Sequence, residues 1–246
     1  MKTSIKGCTA LITGGGSGIG LELAKRLREL GCSVVICGRN QRRLSSAVGS
    51  LLDVPGKGGV QSVSLDVIDE TAVSSMMEEL QKTSGLDILV NCAGVAVNKR
   101  IEEMELSEFN QMLQTNVLGS FVMCKHALPL LKKSQSAFVI NLCSAASHSF
   151  RVGQGGYSAS KSALLSFTKT FALEVWPENI RVHAISPGAV LTDMIRVARP
   201  DLTNESMIQP GDLADAMEYL LTHRTNAVID ELVVHRTSGQ PWPYNV

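Results

Sequence analysis

Short apolar runs alternate with segments of helical apolar spacing along most of the chain. The first run, Cys8–Ile12, predicts a strand, and Leu21–Leu27 carries helical periodicity just beyond it. Further strands are predicted over Ser33–Cys37, Val60–Leu65, Leu86–Val90, Ala137–Leu142, Ile180–Ile185 and Ala227–Val234. Between them, helical spacing covers Arg43–Leu52, Asp69–Thr83, Ser107–Leu131, Tyr157–Val175 and Asp212–Leu221. Pro55–Gly59 breaks the second helix, and Pro177 stops the helix that starts at Tyr157. Parallel neighbours require right-handed crossovers, so the pattern predicts one α/β domain over residues 1–246. Its core is a doubly wound parallel sheet of about seven strands with helices on both faces. A ligand on such a sheet binds outside the carboxyl ends of the strands.

Composition narrows the class without naming a chemistry. Hydrophobic residues make up 44% and charged residues 19% of 246 residues, which excludes a disordered chain. The formal net charge is zero, so no global field draws in nucleic acid or an anionic membrane surface. No apolar run reaches the ~20 residues needed to span a bilayer, and the N-terminus lacks a secretory h-region. The six cysteines form no CxxC pair, and the five histidines have no ligand spacing, so no metal site is expected. Reduced thiols in a large chain without a secretory signal fit a soluble cytoplasmic protein.

The candidate chemistry begins at Thr13-Gly14-Gly15-Gly16-Ser17-Gly18-Ile19-Gly20, between the first strand and the first helix. Glycine permits the tight turn and lets main-chain N–H groups approach a bulky anion. The helix N-terminus adds about half a positive charge there, which suits a pyrophosphate. A site for NAD usually ends the second strand on a carboxylate that holds the ribose 2′-OH. Here that place reads Cys37-Gly38-Arg39-Asn40, with Arg42 and Arg43 following. Arg39 offers a planar, permanently charged fork for a 2′-phosphate, which favours NADP(H), with NAD(H) as the alternative.

Tyr157 and Lys161 are one helical turn apart on one face. A free phenol titrates near pH 10, and a neighbouring ammonium favours the phenolate. Ser144 lies upstream, in a loop of small residues at the end of a strand. With these pieces the chain resembles the short-chain dehydrogenase/reductase family nearly end to end. The resemblance is carried by Thr13–Gly20, Asp66, Asn91-Cys92-Ala93-Gly94, Asn116, Ser144, Tyr157-Ser158-Ala159-Ser160-Lys161 and Pro187-Gly188 with Thr192. It implies a Rossmann-like fold and reversible hydride transfer between a nicotinamide and a carbonyl or alcohol carbon. It further implies that Tyr157 exchanges a proton with the substrate oxygen and that Ser144 hydrogen-bonds that oxygen. Lys161 would support the phenolate and hold the nicotinamide ribose, and Asn116 would position a water that relays protons from Lys161. Gly14, Gly16, Ser17, Gly18, Ile19 and Gly20 would cradle the cofactor, and Asp66 would accept from the adenine amino group. Asn91, Ala93 and Gly94 would line the adenine–ribose side. Pro187, Gly188 and Thr192 would flank the nicotinamide.

Two departures from the family pattern stand out. Cys92 replaces the usual second asparagine of its run, and Ile229–Arg236 lacks the Asp-Gly-Gly ending of many members. A homo-oligomer is expected, and a dimer through Ser107–Leu131 and Tyr157–Val175 is better supported than a tetramer. Residues 193–209 form a short substrate lid in which Met194, Ile195, Val197, Met207 and Ile208 are candidate pocket residues, favouring a small or open pocket. Phe150, Arg151 and Gln154 are candidates to face the substrate; Arg151 suits a carboxylate or a plain surface role, and His148 reads as loop. The remaining alternative is a protein that binds the nucleotide without turnover.

Overall fold

Strand β1 (Thr9–Thr13) is buried along its whole length, and its side chains divide between two cores. Ala10 and Ile12 meet Leu23 and Leu27 of helix α1 (Gly18–Glu29) and Leu213 and Met217 of α8 (Pro210–Thr222). Leu11 faces the other way, toward Val73 and Met76 of α3 (Glu70–Thr83), Met123 of α5 (Gly119–Leu131) and Phe171 of α6 (Gly155–Val175). A strand covered on both faces reads as an uninterrupted apolar run, which is what Thr9–Thr13 shows. The computed structural model describes residues 3–198, 202–204 and 207–237.

The other strands are β2 (Ser33–Gly38), β3 (Val60–Ser64), β4 (Ile88–Asn91), β5 (Phe138–Leu142), β6 (Arg181–Pro187) and β7 (Glu231–Val234). They form one sheet of seven strands in the order β3-β2-β1-β4-β5-β6-β7, and every pairing is parallel. The remaining helices are α2 (Gln41–Leu52), α4 (Leu106–Leu113) and α7 (Asp193–Ala198). The chain leaves β1 toward β2 on one side and returns through β4 on the other. A crevice opens where the order reverses.

Two expectations are corrected. The helix expected over Ser107–Leu131 is α4, a π-helical turn Gln114–Leu118, and α5. The wider turn seats the fully buried Asn116 against the Val95 backbone. Gly119 follows at a point where a Cβ would lie 2.5 Å from Val67 Cγ2. Apolar periodicity does not register one extra residue in a turn, and such turns recur at functional sites. The strand expected from Ala227 begins only at Glu231, because the Ile229 carbonyl is taken by the His183 ring at 2.7 Å and ladder pairing starts beyond it. The segment after Thr192, read as a short polar lid, opens as helix α7. Residues 199–201 and 205–206 of the lid, the side chain of Val197 and the tail Gly239–Pro243 lie outside the described residues.

His183 is 2% exposed, stacked on Phe138, and burial lowers its pKa from the ordinary histidine value of 6.5. The unfolded chain therefore binds a proton that the folded chain refuses. The stability His183 leaves intact above about pH 6.5 is lost as the pH falls toward its lowered pKa. The exposed carboxylates Glu70 and Glu108, whose pKa values are lowered by lysine partners, act in the same direction but below about pH 4.5. Urea midpoints compared at pH 7.5 and pH 5.5 should fall for the native protein and stay nearly level for His183→Gln. An equal fall in both would assign the slope to other groups.

Candidate active site

The carboxyl ends of β1, β4, β5 and β6 open on a cleft of about 1150 Å³. Its floor is the turn from β1 into α1. Gly14 has φ +65°, and a Cβ there would lie 3.0 Å from the Ala93 backbone. Gly20 packs so closely on the turn that a Cβ would be 2.6 Å from the Gly14 carbonyl. Thr13 is buried beneath the turn, and its hydroxyl accepts from Cys92 N at 3.0 Å and Ala93 N at 2.9 Å, fastening β1 to the loop after β4. The first turn of α1 has no acidic residue, and its N-cap Ser17 makes no side-chain cap hydrogen bond. The end of the helix is left electropositive and open to the cleft, a cradle that fits a dinucleotide pyrophosphate.

The opposite wall comes from α6 and the loop after β5. Lys161 is 5% exposed; its Nζ donates to the Leu142 carbonyl at 2.7 Å and lies 6.0 Å from the centroid of the Tyr157 ring. A Cβ on Gly94 would stand 3.1 Å from Asn116 Oδ1 and 3.6 Å from Lys161 Nζ, so these three groups meet closely here. Asn116 Oδ1 accepts from Val95 N at 2.8 Å, and its Nδ2 donates to the Val95 carbonyl at 3.0 Å and to Ser160 Oγ at 2.9 Å. Ser144 caps a short 3-10 turn (Ala145–Ser147), with Oγ accepting from Ala146 N at 3.1 Å. That bond uses the oxygen and leaves the hydroxyl proton available to a ligand.

A buried chain of polar groups fixes α6 on the sheet. Asn91 donates to Asn141 at 2.8 Å, Asn141 donates to Thr168 at 2.8 Å, and Thr168 donates to the Leu164 carbonyl at 2.7 Å. Such a network sets one register between helix and strands. The Asn91 side chain, expected on the adenine–ribose side, is thus turned into the interior and is 2% exposed.

Ser144, Tyr157, Lys161, Gly14, Ser17, Gly18, Ile19, Gly20, Ala93, Gly94, Pro187, Gly188 and Thr192 all line the cleft. Gly18 meets Thr192 from the other lip, where a Cβ would be 3.1 Å from its Cγ2. Gly16, Arg39 and Asp66 are not among the residues lining it. Arg39 lies at the end of β2, 3.6 Å from the Asp66 carboxylate, with its side chain 56% exposed. Asn116 lies behind Gly94 and is fully buried. Met194 and Ile195 line the cleft, but Met207 and Ile208 do not. Both are buried; Ile208 bridges Val190 and joins the core beside Leu213. An apolar pair reads the same in sequence whether it lines a pocket or fills a core.

Cys92 lines the cleft near Lys161, and burial pushes its thiol up to about 12, so it is a neutral wall there. Sequence reading missed two contributors. Arg43, one turn into α2, lines the cleft and pairs loosely with Asp193 at 3.7 Å. His148 also lines it, with Nε2 2.6 Å from Glu231, whose carboxylate accepts from Ser186 at 2.6 Å. The basic run after β2 pointed to Arg43, whereas nothing local in sequence connects residue 148 to residue 231. Among the described residues no group of acidic, histidine and cysteine side chains is arranged to hold a metal ion. No helix described is long and apolar enough to cross a membrane.

Known proteins resemble this chain in sequence and in fold. The family model described as short chain dehydrogenase matches residues 8–203. An oxidoreductase of Staphylococcus aureus (strain MRSA252), itself called uncharacterized, is 31% identical over 226 residues, 92% of this chain and 95% of its own. The 3-oxoacyl-(acyl-carrier-protein) reductase of Aquifex aeolicus is 29% identical over 250 residues, covering 97% and 99%. Among solved structures, L-sorbose reductase from Gluconobacter frateurii, complexed with NADPH and L-sorbose, superposes with a TM-score of 0.86. It is 27% identical and is matched over 97% of its length and 96% of this chain.

Proposed function

The chain belongs to the short-chain dehydrogenase/reductase family, and on that premise we propose that it is an NADP(H)-dependent reductase of carbonyl compounds, or alcohol dehydrogenase in reverse. The observation that carries this reading is the meeting of Tyr157, Lys161 and Gly94 on the wall of the cleft that faces the α1 N-terminus. A bound nicotinamide supplies or takes up the hydride. In the direction of reduction, Tyr157 gives its phenolic proton to the substrate oxygen, and the Ser144 hydroxyl steadies the charge that develops there. Lys161 favours the phenolate left behind and holds the ribose of the cofactor. Asn116 keeps the Gly94–Val95 backbone against Lys161; a relay water would use the second lone pair of its Oδ1. Gly14, Ser17, Gly18, Ile19 and Gly20 bind the pyrophosphate. Ala93 and Gly94 line the ribose side, Asp66 accepts from adenine, and Pro187, Gly188 and Thr192 flank the nicotinamide.

NADP(H) is favoured over NAD(H) by Arg39 and by the absence of a carboxylate at Cys37-Gly38. Arg43 strengthens the case, because it follows Arg39 by four residues and lines the cleft itself. Residues 193–209 act as the lid. Exposed Leu118 and Phe121 on one helix and Leu173 on another support a homo-oligomer through these faces. The six free cysteines fit a reducing, cytoplasmic setting.

Fluorescence titration with NADPH and NADH, followed by a carbonyl panel using the tighter one, tests the reading. Binding without oxidation of NADPH by any carbonyl would replace the enzyme with a nucleotide sensor. Arg39→Ala should weaken NADPH by about tenfold or more, the value of a lost charge-assisted hydrogen bond, and leave NADH nearly unchanged. Equal weakening of both would remove the 2′-phosphate assignment.

A further inference from the structure

Beside the dinucleotide cleft lies a second cavity of about 540 Å³, between the loop after β4 and the loop that leads into α6. The two spaces share Asn98, Arg151 and Gln154, so Arg151 stands on the partition and faces both. The Lys99 amide donates to the Gly153 carbonyl at 2.9 Å, and Gly153 turns at φ +81°, which holds the two loops together as one wall.

Two of the three cations in this cavity have no ion-pair partner among the described residues. Lys99 pairs with Glu108 at 2.6 Å, and Glu108, with Glu105 and Glu103 beside it, raises the lysine pKa. Arg100 and Arg151 have no carboxylate within ion-pair distance among the described residues, and Glu103 is the one acidic side chain in the lining. Both guanidinium groups are therefore open to an anion. Apolar side chains border them. Phe150 is 79% and Val152 82% exposed on either side of Arg151, and Ile101 is 71% exposed beside Gly155. Phe150 lines the dinucleotide cleft and Val152 the second cavity, so an apolar side chain borders Arg151 on each side of the partition.

We infer that this cavity is the subsite for the far end of the substrate, and that the substrate is an oxo or hydroxy monocarboxylate with an aliphatic spacer. The inference rests on the reductase reading for the identity of the reacting group, but not for the existence of the subsite. The carboxylate binds the Arg151 fork, with Arg100 as the second cation, while Phe150 and Val152 cover the spacer. A planar guanidinium matches a carboxylate through two parallel hydrogen bonds, whereas an ester offers only weaker, neutral acceptors.

The test is calorimetric titration of 6-oxoheptanoate and its methyl ester into the NADPH-saturated full-length protein, for the native chain, Arg151→Gln, Arg100→Gln and Lys57→Gln. Lys57 is exposed on the turn before β3, at the amino end of the sheet, and removes the same charge far from the cleft. The acid is expected to bind the native protein about tenfold or more tightly than the ester. Arg151→Gln should abolish that preference, Arg100→Gln should reduce it, and Lys57→Gln should leave it unchanged. Equal binding of acid and ester to the native protein, or equal weakening by Lys57→Gln, overturns the subsite. Because binding is read without turnover, a protein that binds the acid but never oxidises NADPH keeps the subsite and loses only the reductase reading. A protein that reduces both compounds but binds acid and ester equally keeps the reductase reading and loses the subsite.

Discussion

Tyr157→Phe should lose turnover by about two to four orders of magnitude, the usual contribution of a positioned general acid or base, while its NADPH affinity stays within about twofold of the native value. The variant deletes one oxygen. The ring remains on the first turns of α6, with the Lys161 ammonium 6.0 Å from its centroid, and that contact depends on the ring face rather than the hydroxyl. Packing of α6 is unaffected, because its register is fixed by the Asn91–Asn141–Thr168 chain lower on the helix. Stopped-flow oxidation of NADPH separates the proton step from binding, and fluorescence titration gives the affinity. A variant that keeps a tenth of native turnover would move the acid to another group. His148 is the nearest competitor, since it lines the same cleft with Glu231 behind it.

Much of this site was legible in the chain because its residues obey local rules. A glycine turn between a strand and a helix, a Tyr and a Lys one helical turn apart, and small residues at a strand end each have a meaning that does not depend on distant neighbours. The sheet was legible for the same reason: β1 and β4 are buried on both faces, so they read as continuous apolar runs. What escaped depends on contacts between distant segments. The π-turn at Gln114–Leu118 exists because Asn116 reaches the Val95 backbone across 21 positions. The late start of β7 depends on His183 taking a carbonyl from residue 229. Met207 and Ile208 became core because Ile208 found Val190. The partner of His148 lies 83 positions away, on the strand that departs from the family ending.

Lys161 makes the sharper demand on the structure. The residue is 5% exposed, and its ammonium has one hydrogen-bond partner among the described residues, the Leu142 carbonyl. A buried cation with so little compensation costs stability, and cations of this kind are replaced by apolar groups at little cost or with a gain. Lys161→Met keeps the length of the side chain and removes the charge. Its melting temperature should equal or exceed that of the native protein, while turnover falls by about two to four orders of magnitude. Unlike Tyr157→Phe, it should also weaken NADPH, by about tenfold to a hundredfold, as the hydrogen bonds from a charged donor to the ribose are lost. Lys161→Arg should not rescue either property. The guanidinium is broader than the ammonium, and Lys161 is 5% exposed, so arginine must place a larger head among the groups that enclose this side chain. Arginine therefore either displaces the Gly94–Val95 backbone from Asn116 or leaves the cleft wall. Native turnover in Lys161→Arg would mean that charge alone suffices there. A lower melting temperature in Lys161→Met would mean that the ammonium is held for the fold rather than for the reaction.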